Sequence, residues 1–291
     1  MSTFYVLLTA VLVAGACSVV GCFLILRRMA MIGDAISHSV LPGIVAAFLI
    51  SGSRDSVFMM LGAASIGLLT VFLIQLFHQG GVQSDASIGV VFTALFAVGV
   101  ALVSLYASHV DLDLDCVLYG EISYVPWNTL QLFGLELPKA VWTVGLMLAL
   151  NLGVIGLFFK QFKLCAFDPA LAAAVGIPVV LFHYVLMGLV SLTTVAAFES
   201  VGAILVVGML VVPPLTAYLL TDRLGAMIGA SLAVGAASAL IGYYAAALLD
   251  ASIAGSMITA AGALLLLAVL FSPSHGVVPR KLRQRRLSAS A

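Results

Sequence analysis

Asp34 and His38 stand four residues apart in the run RRMAMIGDAISHSVLPG, Arg27–Gly43. Residues at that spacing share one face of an α-helix, so the carboxylate and the imidazole point the same way, with Ser37 beside them and Leu41 above. A rise of 1.5 Å per residue puts Asp34 about 9 Å and His38 about 15 Å beyond Arg28. If Arg28 marks the inner edge of a bilayer, His38 lies near the midplane. An ionised carboxylate inside a membrane costs at least ~2.5 kcal/mol on insertion scales, so such residues face a bundle interior, a cavity or each other. Pro42 adds to the pattern. It has no N–H for the carbonyl of His38, and its ring clashes with that same group.

Two readings fit these residues. Imidazole with carboxylate is a donor set for borderline divalent ions such as Zn²⁺, Mn²⁺ or Fe²⁺, and a site that must release its ion needs few ligands. The same pair could instead form a hydrogen bond that only knits two helices. Spacing alone leaves both open.

The elements that must carry the pair are membrane spans. The chain is 63% hydrophobic and 8% charged, with a mean hydropathy of +1.24, against about 25% charge in soluble domains. Its zero net charge argues against a nucleic-acid partner. Cys17, Cys22, Cys116 and Cys165 form no CxxC or zinc spacing, so no disulfide framework is expected. VAGACS ahead of Cys17 faintly resembles a lipoprotein cleavage site. The run Phe4–Leu26 has no basic n-region and exceeds the ~7–15 residues of a signal h-region, so a retained span is expected.

Roughly 20 apolar residues cross a bilayer, which predicts spans near 4–26, 30–50, 56–77, 87–106, 139–159, 179–199, 201–220, 224–248 and 253–272. Eight crossings remain open, because Pro213-Pro214 interrupts the seventh. With the N-terminus outside and the C-terminus inside, ten of the twelve basic residues fall on the inner side, as the positive-inside rule requires. Only Arg54 and Lys139 lie outside. The outer segments collect Asp55, Asp111, Asp113, Asp115, Glu121, Glu136 and Asp250. The predicted class is all-α, a polytopic transmembrane helical bundle of eight or nine spans. Residues 1–278 form the transmembrane domain, and 279–291 a basic cytoplasmic tail, expected to be disordered.

Two connections are long. The outer one, 107–138, carries DLDLDCVLYGEISYVPW and suggests a short interfacial helix or a re-entrant segment. The inner one, KQFKLCAFDPALAAAVGIP, encodes a cytoplasmic helix of about two turns. Asp168 is an N-cap, Pro169 the first helical residue, and Gly176 a C′ stop reinforced by Pro178. Phe167, Asp168, Pro169, Ala172 and Gly176 thus outline a small alanine-rich helix suited to a close-fitting partner. Glu199, at the outer end of the sixth span, is either a vestibule residue or a solvated helix end. His183 is expected to be a satisfied packing residue. Nucleotide motifs such as the Walker sequence are absent, so any use of ATP requires another chain.

Beyond the opening run, several segments resemble, in order and spacing, the permease subunits of ATP-binding-cassette importers for manganese, zinc and iron (ABC-3 type). They are SDASIGVVFTALFAVGVAL, LDLDCVLYGEI, FDPALAAAVGIP, FESVGAILVVGMLVVPPLTAYLLTDRL and LFSPSHGVVPRKL. The resemblance covers nearly the whole chain. It implies a type II importer-like fold, with two permease subunits paired in the membrane and cytoplasmic ATPases docked on residues 167–176. It also implies an extracytoplasmic metal-binding protein that delivers the ion, and a location in a bacterial cytoplasmic membrane. The family's pore residues map onto Asp34 and His38, with Mn²⁺ favoured over Zn²⁺ or Fe²⁺ as transported ion and no tightly bound cofactor. The chain itself is expected to have no catalytic activity. Two rivals are a proton-coupled secondary metal transporter with Asp34–His38 as relay, and an intramembrane enzyme using Ser37 or Ser39 as nucleophile. The second is disfavoured, since Ser37 adjoins His38 on the chain and neither serine lies in a nucleophile motif.

Overall fold

A computed structural model describes residues 2–51, 56–106, 122–132, 135–272 and 276. The helices, in chain order, are α1 (Ser2–Leu26), α2 (Met31–Ser39), α3 (Leu41–Ser51), α4 (Ser56–Gln79), α5 (Ser84–Tyr106) and α6 (Lys139–Leu157). They continue as α7 (Phe159–Phe167), α8 (Pro169–Ala174), α9 (Val179–Val201), α10 (Ala203–Leu220), α11 (Leu224–Leu249) and α12 (Ile253–Phe271). Among the described residues, nine segments are long and apolar enough to cross a membrane. They match the nine expected spans, with α2 and α3 together forming the second.

Burial grades these spans. In α1 it is greatest, 78% of its apolar window, and in α5 least, 17%. α1 is the central post, packed against α6, α9, α10 and α11. α10, α11 and α12 close around one another on one side, while α2 to α5 form a second group joined to the post through α9. Polar side chains tie helices where water cannot compete. Asn151 of α6 donates to Thr193 Oγ1 of α9 at 2.8 Å and to the Ala16 carbonyl of α1 at 3.3 Å, the kind of interhelical bond that bilayer-embedded bundles use.

Pro213-Pro214 does not interrupt the seventh span, so among the described residues nine helices rather than eight are long and apolar enough to cross. α10 runs unbroken through both prolines. Pro214 lacks the N–H that Leu210 O would accept, and Gly21 of α1 packs directly on that carbonyl and on the Pro214 ring. A side chain at Gly21 would collide with both. Neighbouring backbone thus covers the exposed group, as membrane helices with internal proline require. Gly43 of α3 and Gly62 of α4 touch backbone to backbone in the same manner, the small-residue crossing typical of membrane helices.

The connection 107–138 contains a short helix, as one of its two readings expected, and adds a hairpin that was not expected. A 3₁₀ turn over Ile122–Trp127 leads into a hairpin, β1 (Thr129–Leu132) and β2 (Leu135–Pro138), with Leu130 opposite Leu137 and Gln131 opposite Glu136. The alternation in TLQL and LELP is its signature, so the fold is all-α with one small appended hairpin. The acidic run 111–115, Cys116 and the tail 279–291 lie outside the described residues.

Candidate metal site

α1 ends at Leu26, and the chain reverses through Arg27–Ala30, where Arg28 takes a left-handed φ of 58°. α2 then carries Asp34 in its first turn and His38 in its last. The structure brings the pair together as the spacing predicts: His38 Nε2 lies 3.5 Å from Asp34 Oδ1. That is the outer limit of a hydrogen bond. It is also a spacing at which both atoms can bind one ion. Bonds of about 2.1 Å meeting at a tetrahedral angle hold their donors ~3.4 Å apart, and at a right angle ~3.0 Å.

Pro42 breaks the span where expected. α2 stops at Ser39, and the break is bridged by the Val40 N–H to Ile36 O and by the Gly43 and Ile44 N–H groups to Val40 O. Ser39 pins the break to α4, its hydroxyl 2.7 Å from Thr70 Oγ1. α5 supplies the opposite wall. The rings of Phe92 and Phe96 stand 6.1 and 6.2 Å from the His38 ring, and Gly99 presses on Pro42 so closely that a Cβ there would strike its ring. These three residues recur at helical spacing on one face of α5, shaped to the His38–Pro42 stretch.

The two other candidate pore residues stand as follows. Ser37 is buried, and its hydroxyl donates to Gly33 O at 2.9 Å, which commits it to its own helix. Glu199 falls in the last turn of α9, and its side chain lies outside the described residues. Among the described residues, no group of three or more His, Cys, Asp or Glu side chains gathers around an ion. The Asp34–His38 pair brings two candidate donors together, each about one third exposed (35% and 35%).

The inner helix is built as the sequence indicates. Asp168 Oδ1 accepts from the Leu171 N–H at 2.9 Å, and Pro169 opens α8. Gly176, at φ 87°, closes it in a Schellman motif: the Gly176 N–H binds Ala173 O, and the Ile177 N–H binds Ala172 O. Ala172 requires a correction. It is fully buried, so it seats α8 on the bundle and does not offer itself to a partner. The large apolar side chains left exposed here are Phe167 at the end of α7, Leu171 within α8 and Val175 at its C-cap, at 55%, 49% and 66% exposure, all outside the spans. His183 is also not the satisfied packing residue expected. Its Nδ1 meets Arg27 NH1 at 3.2 Å, while its Nε2 is buried without a partner.

Among the described residues, a bundle of nine membrane-length helices, with a polar pair at a broken helix and a capped helix outside the spans, defines a polytopic membrane protein. A model of the family described as "ABC 3 transport family" matches residues 2–272, and the chain belongs to that family. It is 54% identical over 280 residues to the manganese transport system membrane protein MntD of Bacillus subtilis (strain 168), covering 96% of this chain and 95% of the relative. It is 44% identical to the zinc transport system membrane protein TroD of Treponema pallidum (strain Nichols), covering 98% and 78%. Among solved structures, PsaBC from Streptococcus pneumoniae in complex with Fab superposes with a TM-score of 0.80 at 33% identity, covering 98% of this chain and 95% of that one.

Proposed function

We propose that this chain is the permease subunit of an ATP-driven importer that moves a divalent transition metal, manganese by preference, into the cytoplasm by alternating access. The observation that carries the proposal is the Asp34–His38 pair, one third exposed within a membrane span. Such a pair is too costly to leave against lipid. An ion with tetrahedral or octahedral demands also needs more than two donors. A second permease subunit, a copy of this chain or a paralogue, laid over the α2–α5 face answers both needs, because a two-fold axis would double the ligand set. The low burial of α5 fits that assignment.

In this mechanism Asp34 and His38 hold the ion in transit, and Phe92 and Phe96 keep the imidazole oriented and the neighbourhood dry. Ser39 with Thr70, and Gly99 against Pro42, hold the break where those donors are presented. ATP is hydrolysed in cytoplasmic partner subunits that grip Phe167, Leu171 and Val175 of the coupling segment, and this chain is non-catalytic. An extracytoplasmic metal-binding protein delivers the ion to the opposite face. Manganese is favoured by the relationship to a manganese transport protein at 54% identity, with zinc or iron as the other candidates. The basic residues set the orientation, N-terminus outside and C-terminus inside, in a bacterial cytoplasmic membrane. The inner ends of α1 and α4 and the start of α9 meet around one cavity, as that alternation demands.

The test is uptake of competing radiolabelled manganese, zinc and iron by cells carrying the whole transporter. Manganese should enter most readily, and Asp34→Asn or His38→Gln should abolish entry while the subunits still assemble. Full uptake by both variants would refute the site. Metal movement by the purified chain alone in liposomes under a pH gradient would instead establish the secondary-transporter reading.

A further inference from the structure

One feature that the proposed transport site does not use lies at the end of the bundle where α1 turns into α2, with Arg28 six residues before Asp34 along the chain. A cavity of about 440 Å³ opens there between the ends of α1 and α4, the α7–α8 junction and the start of α9, within the usual range of small-molecule sites. Arg27 and Arg28 both line it. NH1 of Arg27 meets His183, but its Nε and NH2 are buried without a partner. No carboxylate among the described residues pairs with this guanidinium. The group that acts on it electrostatically is the Cys165 thiol, itself pushed up by burial and therefore neutral. A buried guanidinium demands an anion.

The rest of the lining says what kind of anion. Gln75 and Gln79 of α4 add amide groups, and Leu26, Met29 and Val180 add an apolar wall. Val180 is 69% exposed, so the apolar wall reaches the surface of the bundle. Three spans fix its depth. Leu26 is the last residue of the first span, Gln79 the last of the third and Val179 the first of the sixth, so the arginines stand at the membrane boundary. Basic pockets between helices at the cytoplasmic edge are the setting in which acidic lipid headgroups are held.

We infer that this cavity binds a phosphate-bearing anion, the headgroup of an anionic phospholipid of the inner leaflet. Free phosphate shares that chemistry and is the other source to separate experimentally. The bound group ties the α1–α2 turn to the α7–α8 junction, through Ala166 and Pro169 on the same wall, and so braces the base of the coupling helix. The inference goes beyond metal transport and relies on the membrane orientation only for the choice of leaflet.

The test uses the full chain, purified, stripped of lipid and titrated with phosphatidylglycerol, phosphatidylcholine or inorganic phosphate under native mass spectrometry. Wild type should retain one phosphatidylglycerol against phosphatidylcholine, and Arg27→Gln should weaken that retention roughly tenfold or more, the usual scale of a lost charge-assisted bond. Arg28→Gln, at an exposed position, should weaken it several-fold without disturbing the fold, and Arg27→Lys should restore part of it. Displacement of the lipid by millimolar phosphate would keep the anion site and reassign its source. Equal retention of both lipids by wild type and all variants, with no binding of phosphate, would overturn the inference, whatever the metal-uptake assays show.

Discussion

Asp34 and His38 are legible in the sequence because helical spacing alone places them on one face. What makes them a site is not legible. Phe92, Phe96 and Gly99 come from a different span, and Thr70 from a third. Their pairing with His38, Pro42 and Ser39 is a matter of how helices cross, which a single sequence does not record. The residue scale gives two predictions. Asp34→Asn and His38→Gln should each lower metal uptake to background at unchanged membrane abundance. Thr70→Val removes the interhelical hydrogen bond to Ser39, worth about 0.6 kcal/mol inside a bilayer, together with the local bond to Ile66 O. It should lower the melting temperature slightly and slow uptake only partly, since the ligands remain. Thermal melting of the purified protein beside the transport assay separates the two effects.

Among the elements, those bounded by local chemistry match expectation, and those bounded by packing do not. The spans follow from hydropathy, and α8 follows from Asp168-Pro169 at one end and Gly176 at the other. The β1–β2 hairpin escaped because four-residue strands give a weak period against the strong signal of the spans. The inward face of α8 escaped because a run of alanines has no visible polarity, yet Ala172 is buried and Leu171 and Val175 are not. Coupling should therefore fail on the outward side. Leu171→Glu with Val175→Glu should release the ATPase during co-purification and abolish uptake, while metal binding by the permease persists. Asp168→Ala, which removes the N-cap at a cost of about 1 kcal/mol, should weaken the association without ending it. Wild-type association in the double variant would remove α8 from the coupling role.

At the scale of the molecule, the account joins a well-covered post, α1, to a poorly covered face on α2 and α5 where the polar pair sits. In the proposed assembly a second permease covers that pair, which a lone chain would leave beside lipid. Phe96→Cys, on the α5 face, should yield a permease dimer with a short bis-maleimide in membranes. Leu266→Cys, equally apolar and 65% exposed on α12, should not. Equal linkage at both positions would contradict the assigned face. The central claim is that the imidazole of His38 binds the ion in transit. Pulsed electron paramagnetic resonance of Mn²⁺ on the assembled, purified transporter reads this directly. Wild type should show nitrogen coupling from an imidazole ligand, and His38→Gln should lose it while the complex stays intact. The same nitrogen coupling in His38→Gln would contradict the account.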